Sequence, residues 1–359
     1  MSTDMRMLVS APFDTRVNAG ISLYIRRLVP HLAGHCDLTI LTPDPHLFSK
    51  YGHAIGIPES VRFRIRRVLW TLTQLRAYCT KDYDVLLCLT PSIPVPTLLP
   101  TIAVVHDLTP LKVRWLNPMT EKASFWAGLQ TLRLADCVVT DSRSTMDDFA
   151  AMHLLPRWRS TVAFCGPGIS PSREEADYAK QFVPYVLYVG SHAPHKNVIR
   201  LIHSFARVRA EQDLKLVLVG SGSEEQLRRA ARTVTNDGIQ SRVTLLTGVS
   251  DAQLSSLYQH CRLLACPSVY EGFGLPILEA MLHGAAVACS AVSSLPEVAG
   301  EAALLFDPYS VRDIADKLQT LLDSPGLTTR LGDAGRDRAA RFTWEHTAQT
   351  IYELAAGLE

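Results

Sequence analysis

The feature that most constrains the fold is an alternation of short apolar runs with helix-forming stretches, which recurs along the whole chain. In the first half, the runs that we predict as strands are residues 5–12, 37–42, 85–89, 102–105 and 137–140. In the second half, they are residues 185–189, 215–219, 243–246, 263–265, 286–289 and 303–306. Strands that alternate with helices are joined by crossovers, so the pattern predicts an α/β protein with parallel sheets covered on both faces.

The alternation breaks once, at CGPGISPSREEADY (residues 165–178), where Gly, Pro and charged residues replace the apolar runs. We place a domain boundary there, which gives two similar Rossmann-like domains over 1–168 and 169–343. Ligands of such proteins bind at the carboxyl ends of the strands, here in a cleft that the two domains would face. A last helix, over 344–359, either returns to the first domain or does not; the sequence leaves this open.

Composition excludes several classes of protein. A net charge of +1 gives no electrostatic case for binding nucleic acid. The eight cysteines form no CxxC pair and several lie in apolar runs, which favours buried reduced thiols over a disulfide or metal framework. The first residues do not resemble a signal peptide and no run of about 18 apolar residues occurs, so we predict a cytoplasmic protein without a spanning helix.

The stretch VYEGFGLPILEAML, residues 269–282, predicts an anion site. A strand ends just before it, glycines allow a tight turn, and Pro276 suits the first turn of a helix. The free N–H groups at the start of that helix would converge on one spot, with the helix dipole behind them. The residues that carry these groups are Phe273, Gly274 and Leu275. Glu271 and Glu279 flank the turn, and because carboxylates do not hold a diphosphate, sugar hydroxyls are their expected partners.

Other strand-end loops carry candidate ligand-binding residues. In the first half these are Asn18-Ala19-Gly20, at the start of a helix, and His106-Asp107. In the second half, Lys196 and Arg200 lie four residues apart at a predicted helix start, where one helical face would clamp two phosphates. A solvated helix start is the alternative for this pair, and a packed side chain is the alternative for His106.

These motifs together resemble the retaining glycosyltransferases of family 4, over nearly the whole chain. EGFGLPILE, followed by PEVAGEAALLFDP at 296–308, is the most specific part of the resemblance. It implies the GT-B architecture, in which two Rossmann-like domains face each other across a cleft. It also implies that Glu279 binds the ribose of a sugar nucleotide, that Glu271 holds a donor-sugar hydroxyl, and that the Phe273–Leu275 amides bind its phosphates.

The resemblance assigns further residues to the reaction. Lys196 and the region of Gly20 would contact the diphosphate from either side, and His106 would lie beside the reacting carbon. Many family members carry an arginine soon after the glycine that matches Gly190. Here Ser191 and His192 follow instead, and Arg200 is our candidate for the second cation.

The implied chemistry needs neither a metal nor a cofactor. Fixed N–H dipoles and Lys196 would stabilise the nucleoside diphosphate as it leaves. Attack on the same face of the sugar, with the departing phosphate taking the acceptor's proton, requires no nucleophilic carboxylate, unlike glycosidases. An Asp-x-Asp sequence at Asp82–Asp84 has the spacing of a metal site in another glycosyltransferase architecture, but we interpret it as structural.

The donor and the acceptor are less constrained. HDLTP at 106–110 and TDSRSTMDDF at 140–149 most resemble bacterial mannosyltransferases that build polysaccharide on a lipid carrier, which implies GDP-mannose. UDP-glucose and other UDP-sugars stay open, since the loops expected to bind the base (220–222 and 247–249) do not distinguish guanine from uracil. The acceptor would be a glycan or a polyprenyl-diphosphate-linked sugar bound by the first domain.

A basic, apolar stretch at 61–79 has two interpretations of equal weight. It would either form a patch that rests on anionic lipid or meets a polyprenyl-diphosphate sugar, or form a strand and helix with a solvated face. Its arginines are Arg62, Arg64, Arg66, Arg67 and Arg76. Three further alternatives for the whole chain are a sugar-nucleotide epimerase, a phosphorylase-like enzyme and a non-catalytic sugar-nucleotide-binding partner.

Overall fold

The computed structural model describes residues 5–13, 20–96, 98–113, 119–152, 160–209 and 213–358. The chain divides into two compact units. The first, which we call the N-terminal unit, comprises Met1–Gly168 and Thr343–Glu359. The second, the C-terminal unit, comprises Ile169–Phe342. Within the described part of the chain, no helix has the length and apolar character needed to cross a bilayer.

The N-terminal unit is built on a parallel sheet of seven strands in the order β3-β2-β1-β4-β5-β6-β7. The strands are β1 (Arg6–Ser10), β2 (Asp37–Thr42), β3 (His53–Gly56), β4 (Val85–Cys88), β5 (Thr101–Val105), β6 (Cys137–Thr140) and β7 (Ser160–Val162). The helices are α1 (Gly20–Leu32), α2 (Arg64–Thr73), α3 (Thr109–Lys112), α4 (Met119–Thr131) and α5 (Arg143–Ala150). The strand order reverses between β1 and β4, which is where ligands of such sheets bind.

The C-terminal unit repeats this plan with a parallel sheet of six strands in the order β10-β9-β8-β11-β12-β13. Its strands are β8 (Tyr185–Val189), β9 (Lys215–Val219), β10 (Val243–Leu246), β11 (Leu263–Cys266), β12 (Val287–Ser290) and β13 (Ala303–Phe306). Its helices are α6 (Val198–Phe205), α7 (Glu224–Asn236), α8 (Asp251–His260), α9 (Leu275–Leu282), α10 (Leu295–Ala299), α11 (Val311–Asp323) and α12 (Pro325–Ala339). The parallel α/β class predicted from the alternation is confirmed.

Two strands were missed by the sequence prediction, and both lie at edges of the first sheet. No residue of β3 or β7 is fully buried, whereas all four residues of β4 and of β6 are. An edge strand needs apolar residues on fewer sides, so β3 and β7 lack the continuous apolar run by which the central strands were recognised.

The last helix, α13 (Trp344–Ala356), follows the C-terminal unit in sequence but packs in the N-terminal unit against α1. The Trp344 indole donates its Nε1–H to the carbonyl of Pro167 at 2.8 Å, and its ring lies 5.2 Å from that of Tyr24. Gly166 allows this contact, because a Cβ there would lie 2.6 Å from the indole. The last helix, whose place the sequence left open, therefore belongs to the N-terminal unit.

Candidate functional site

The turn before α9 has the geometry that its glycines suggested. Gly274 is the N-cap residue and has a φ of 117°, and Pro276 lies in the first turn. A side chain is excluded at Gly274 by space as well as by conformation, because a Cβ would lie 2.8 Å from Leu295 Cδ2. The first amides of a helix have no intrahelical acceptor, so those of Gly274 and Leu275 are placed to bind an anion here.

The carboxylate of Glu271, just before this turn, is held by three short hydrogen bonds. Lys196 Nζ donates to its Oε1 and Oε2 at 2.6 and 2.8 Å, and Ser268 Oγ donates to Oε1 at 2.7 Å. Two serines that follow β12 fix the main chain of the same residue: Ser293 Oγ donates to the Glu271 carbonyl at 2.5 Å and Ser294 Oγ at 3.1 Å. The structure thus brings the predicted Lys196 and Glu271 together, beside the helix start.

This ion pair is charged in the folded protein. Burial alone would raise the pKa of Glu271, but the ammonium of Lys196 and the hydroxyl of Ser268 outweigh burial, so the net shift is downward. The resemblance assigned Glu271 to a sugar hydroxyl and Lys196 to a diphosphate; the structure pairs these two side chains with each other. Ser268 was not singled out from the sequence, although its position between β11 and Glu271 is a usable signal.

The expectation that Lys196 and Arg200 share a helical face is wrong. Lys196 ends a short 3₁₀ turn, Asn197 takes the left-handed conformation with φ 62°, and α6 begins only at Val198. The backbone therefore changes direction between the two cations. Arg200 Nη1 donates to Asn197 Oδ1 at 2.6 Å and to the Pro308 carbonyl at 3.1 Å, so its guanidinium supports the Asn197 turn.

The residues in place of the missing arginine do not supply a second cation either. His192 is buried, and burial lowers the pKa of its imidazole, so it is neutral near pH 7. Its main chain joins two strand-end loops, because its amide donates to the carbonyl of Ser221 at 2.8 Å.

Glu279, in α9, is almost fully buried. Its Oε2 accepts a hydrogen bond from Tyr258 Oη at 2.8 Å, which holds the carboxyl against α8. Burial, and then the charge of Glu279, raise the pKa of the Tyr258 phenol, so this phenol stays a donor at any physiological pH. Tyr258 was not identified from the sequence, because it lies on a helix that precedes β11 rather than on a strand-end loop.

In the N-terminal unit, the sheet register creates a buried histidine–aspartate pair. Val105 and Thr140 are partners in the β5–β6 ladder, so the next residue of each strand lies beside the other. His106 Nδ1 and Asp141 Oδ2 are 2.8 Å apart, and both side chains are buried. Asp141 was missed, although it follows directly on the predicted strand 137–140.

Asp141 tunes the charge of His106. Burial, the largest single influence, lowers the pKa of the imidazole, but Asp141, with smaller contributions from Asp107 and the main chain of Leu89, outweighs burial, and the net shift is upward. Nε2 is buried, and within the described residues it has no hydrogen bond of normal geometry, although the main-chain carbonyl of Leu89 is near enough to act on the imidazole. Burial raises the pKa of the neighbouring Cys165 thiol, which therefore stays protonated next to Asp141, and the Tyr24 ring lies edge-on to His106 at 4.6 Å.

His106 also lines a pocket with a cavity volume of about 100 Å³, which is partly open to solvent. Its walls combine apolar and polar groups from several elements. They include Phe13, Ile21, Arg67, Thr90, Asp107 and Phe125. The guanidinium of Arg67 lies 4.0 Å from the centre of the Phe13 ring, so a cation and an aromatic face stand together in the wall.

The remaining predicted residues are placed as follows. Gly20 is exposed at the start of α1, and a Cβ there would meet no atom within 4 Å; Asn18 and Ala19 lie outside the described residues. Asp84 accepts from the main-chain amide of Arg6 at 2.7 Å and from its guanidinium at 3.1 Å, as the structural interpretation of Asp82–Asp84 expects.

Two family models match the chain, one in each unit. The model described as Glycosyltransferase Family 4 matches residues 19–167, and the one described as Glycosyl transferases group 1 matches residues 174–338. The serotype-specific mannosyltransferase WbdA of Escherichia coli is 32% identical over 268 residues, which are 70% of this chain and 33% of WbdA. An MMP alpha-(1->4)-mannosyltransferase of Mycolicibacterium hassiacum is 40% identical over 173 residues, 45% of this chain and 41% of that protein.

The chain thus spans about a third of the length of WbdA. Among solved structures, sucrose-phosphate synthase from Thermosynechococcus elongatus has a TM-score of 0.80 at 22% identity and covers 99% of both chains. WaaG, a glycosyltransferase involved in lipopolysaccharide biosynthesis, has a TM-score of 0.76 at 17% identity and covers 98% of this chain and 100% of its own. These two likenesses show the fold, which is GT-B. With both halves matched, the chain belongs to the family 4 glycosyltransferases, and its sequence is most like those of bacterial mannosyltransferases.

Proposed function

We propose that the chain is a retaining, metal-independent hexosyltransferase that moves mannose from GDP-mannose to a lipid-linked or oligosaccharide acceptor during polysaccharide assembly. The observation that carries the proposal is the Lys196–Glu271 ion pair beside the first turn of α9. The names of two relatives support the choice of sugar: they are the mannosyltransferase WbdA and the O-antigen chain mannosyltransferase B, both of Escherichia coli. The proposed setting is the cytoplasm or the cytoplasmic face of a membrane.

The donor would bind the C-terminal unit by exchanging the partners of this ion pair. A diphosphate carries about two negative charges and would compete with Glu271 for the ammonium of Lys196, while the Phe273–Leu275 amides bind its other oxygens. Glu271 would then be free to accept a hydroxyl of the donor sugar. Glu279, oriented by Tyr258, would accept from the ribose.

This arrangement accounts for departure of the nucleotide without a metal. Charge develops on the diphosphate as the glycosidic bond breaks, and the fixed amides and Lys196 stabilise that charge in place. Retention follows if the acceptor hydroxyl attacks the face that the diphosphate leaves and gives it the proton. No carboxylate then has to act as a nucleophile.

The acceptor would bind the N-terminal unit, in the pocket that His106 lines. Nδ1 of His106 is committed to Asp141, and the protonated imidazole, whose pH range the upward shift of the pKa extends, also donates from Nε2. Such a donor suits a hydroxyl or ring oxygen near the reacting carbon. The roles of Gly20 and of Arg200 as phosphate ligands stay predictions, and the contacts of Arg200 favour a supporting role for it.

Calorimetric titration in the presence of EDTA tests the donor. We expect GDP and GDP-mannose to bind more tightly than UDP and UDP-glucose, and Glu279→Ala to weaken binding about tenfold or more through loss of a charge-assisted hydrogen bond. Glu301→Ala is the matched control, because Glu301 is an exposed carboxylate of the same unit. Tighter binding of UDP and UDP-glucose would change the proposed donor from GDP-mannose to a UDP-sugar. Binding of none of the four ligands would overturn the proposal.

A further inference from the structure

Large apolar side chains are exposed in one region of the N-terminal unit. Of the ten described large apolar residues with strong exposure, eight belong to this unit. Seven of them fall on three segments: the start of α2, the loop after β4 and helix α4. We call them the apolar rim: Phe63, Ile65, Leu69, Val95, Leu98, Met119 and Trp126, with exposures from 42% at Trp126 to 77% at Met119.

The three segments adjoin one another around the pocket beside His106. Helices α2 and α4 pack together. Gly128 of α4 lies against the loop after β4, where a Cβ would be 3.1 Å from the Pro91 carbonyl oxygen. Each segment also contributes to the pocket wall, through Arg67 on α2, Pro91 in the loop and Phe125 on α4. The apolar rim and the pocket are therefore parts of one surface.

The charge of this surface is positive along α2. Residues 60–79 contain five arginines and no acidic residue. Arg66 and Arg76 are exposed, whereas Arg62 is bound to the buried carboxylate of Asp44 at 2.8 Å. Arg67 faces the pocket, and the side chain of Arg64 lies outside the described residues. The interpretation of 61–79 as a patch of five arginines is thus reduced to two described exposed cations, Arg66 on α2 and Arg76 in the 3₁₀ turn that follows α2. The helix begins at Arg64, and residues 61–63 form no strand.

We propose that the apolar rim docks the N-terminal unit onto an anionic lipid surface. A large exposed apolar patch marks an interaction site, and a helix that interleaves arginines with Phe, Ile and Leu has the chemistry of a membrane-interface helix. Arginines near an anionic leaflet are attracted by its surface charge, and the apolar side chains add burial in the headgroup region. Anionic lipid, rather than a protein surface, is the proposed occupant, because the two exposed charged side chains described within residues 63–76, Arg66 and Arg76, are both positive.

Docking of this kind would bring the pocket to the membrane. The rim residues stand beside a pocket with a cation in its wall, so a sugar attached to the lipid by a charged linkage would be presented to Arg67 and His106 without leaving the bilayer. This part rests on the proposed function, whereas the docking itself does not.

Vesicle sedimentation with the full chain tests the proposal. We expect binding to vesicles of phosphatidylcholine with about 30% phosphatidylglycerol, and much weaker binding to phosphatidylcholine alone, because the surface charge drives part of the affinity. The triple variant Phe63→Ser/Ile65→Ser/Leu69→Ser should lose about tenfold or more of the binding. Arg66→Gln/Arg76→Gln should weaken binding to the anionic vesicles and reduce the preference for them. The control Val183→Ser/Tyr309→Ser changes the two exposed apolar residues of the C-terminal unit and should bind like the wild type.

Other outcomes would overturn the proposal. They are absence of vesicle binding, equal binding to neutral vesicles, equal binding by the triple variant, or a dimer in sedimentation velocity that the triple variant abolishes. Calorimetric unfolding of the triple variant shows whether the N-terminal unit keeps its own transition, which donor binding in the C-terminal unit does not report. Calorimetric binding of GDP-mannose then separates the two proposals, because loss of vesicle binding with donor binding unchanged concerns the rim alone.

Discussion

Lys196 and Glu271 are coupled at the scale of single residues, because the ammonium of Lys196 bridges both carboxylate oxygens of Glu271. Removing one partner of a buried pair leaves an uncompensated charge, and this costs more than removing both. The same logic governs donor binding, since the diphosphate has to replace Glu271 as the partner of Lys196.

Lys196→Met should therefore destabilise the C-terminal unit by about 2–4 kcal/mol and weaken GDP binding about tenfold or more. The double variant Lys196→Met/Glu271→Gln should regain stability but not GDP affinity. Urea unfolding and calorimetry measure the two effects. A double variant as unstable as the single one would show that the two side chains are not coupled.

The same pair predicts a pH dependence. Because the folded pKa of Glu271 lies below its ordinary value of 4.5, its contribution to the free energy of unfolding is present above that value and is lost as the pH falls through the folded pKa. The difference in stability between the wild type and Lys196→Met should shrink accordingly in acid. A constant difference from pH 7 to the acid limit would contradict the assignment.

The contribution of His106 to the free energy of unfolding depends on pH in the opposite direction. Its folded pKa lies above its ordinary value of 6.5, so its protonated form stabilises the fold fully below that value, and this contribution disappears as the pH rises through the folded pKa. In Asp141→Asn the main upward influence is gone and burial dominates, so the pKa of His106 should fall below 6.5. An NMR titration of the imidazole measures this directly, and an unchanged pKa would rule out Asp141 as the cause.

At the scale of elements, the turn into α9 depends on Gly274. An alanine there would be strained at φ 117° and would press on Leu295, so Gly274→Ala should cost about 2–4 kcal/mol and weaken GDP binding. Gly326→Ala is the matched control: it lies in the first turn of α12 with no atom within 4 Å of the added Cβ, and should be neutral or stabilising by about 0.5–1 kcal/mol. Urea unfolding compares them, and equal stability of the two variants would refute the role of the turn.

The elements also show what the sequence could predict and why the rest was hidden. Strands such as β6 and β9 were bounded to the residue, because continuous apolar runs are their own signal. The prediction that Lys196 and Arg200 lie on one helical face was wrong, because a helical spacing applies only within one helix and the left-handed Asn197 separates the two residues. Asp141 required the β5–β6 register, a tertiary fact that spacing along the chain does not contain.

At the scale of the whole molecule, α13 completes the N-terminal unit from the far end of the chain. Trp344→Ala removes the contacts with Tyr24, Gly166 and Pro167 and should destabilise that unit by about 3–5 kcal/mol. Glu353→Ala, an exposed change on the same helix, should stay within about 0.5 kcal/mol of the wild type.

Calorimetric scans with and without GDP-mannose check this prediction. Since each unit has its own sheet, the donor should stabilise the transition of the C-terminal unit in Trp344→Ala as it does in the wild type. If Trp344→Ala lost both the N-terminal transition and the stabilisation by GDP-mannose, the expectation that the C-terminal unit binds the donor by itself would be contradicted.

The most direct test of the central claim is transfer of labelled sugar from GDP-[¹⁴C]mannose to polyprenyl-diphosphate oligosaccharides, in the presence of EDTA. We predict that label enters the lipid-extractable product with the wild type, and that Lys196→Met and His106→Ala reduce the rate about a hundredfold or more, since charge stabilisation and positioning at the reacting carbon are lost. Label transferred only from a UDP-sugar, or only after a divalent metal is added, would contradict the account.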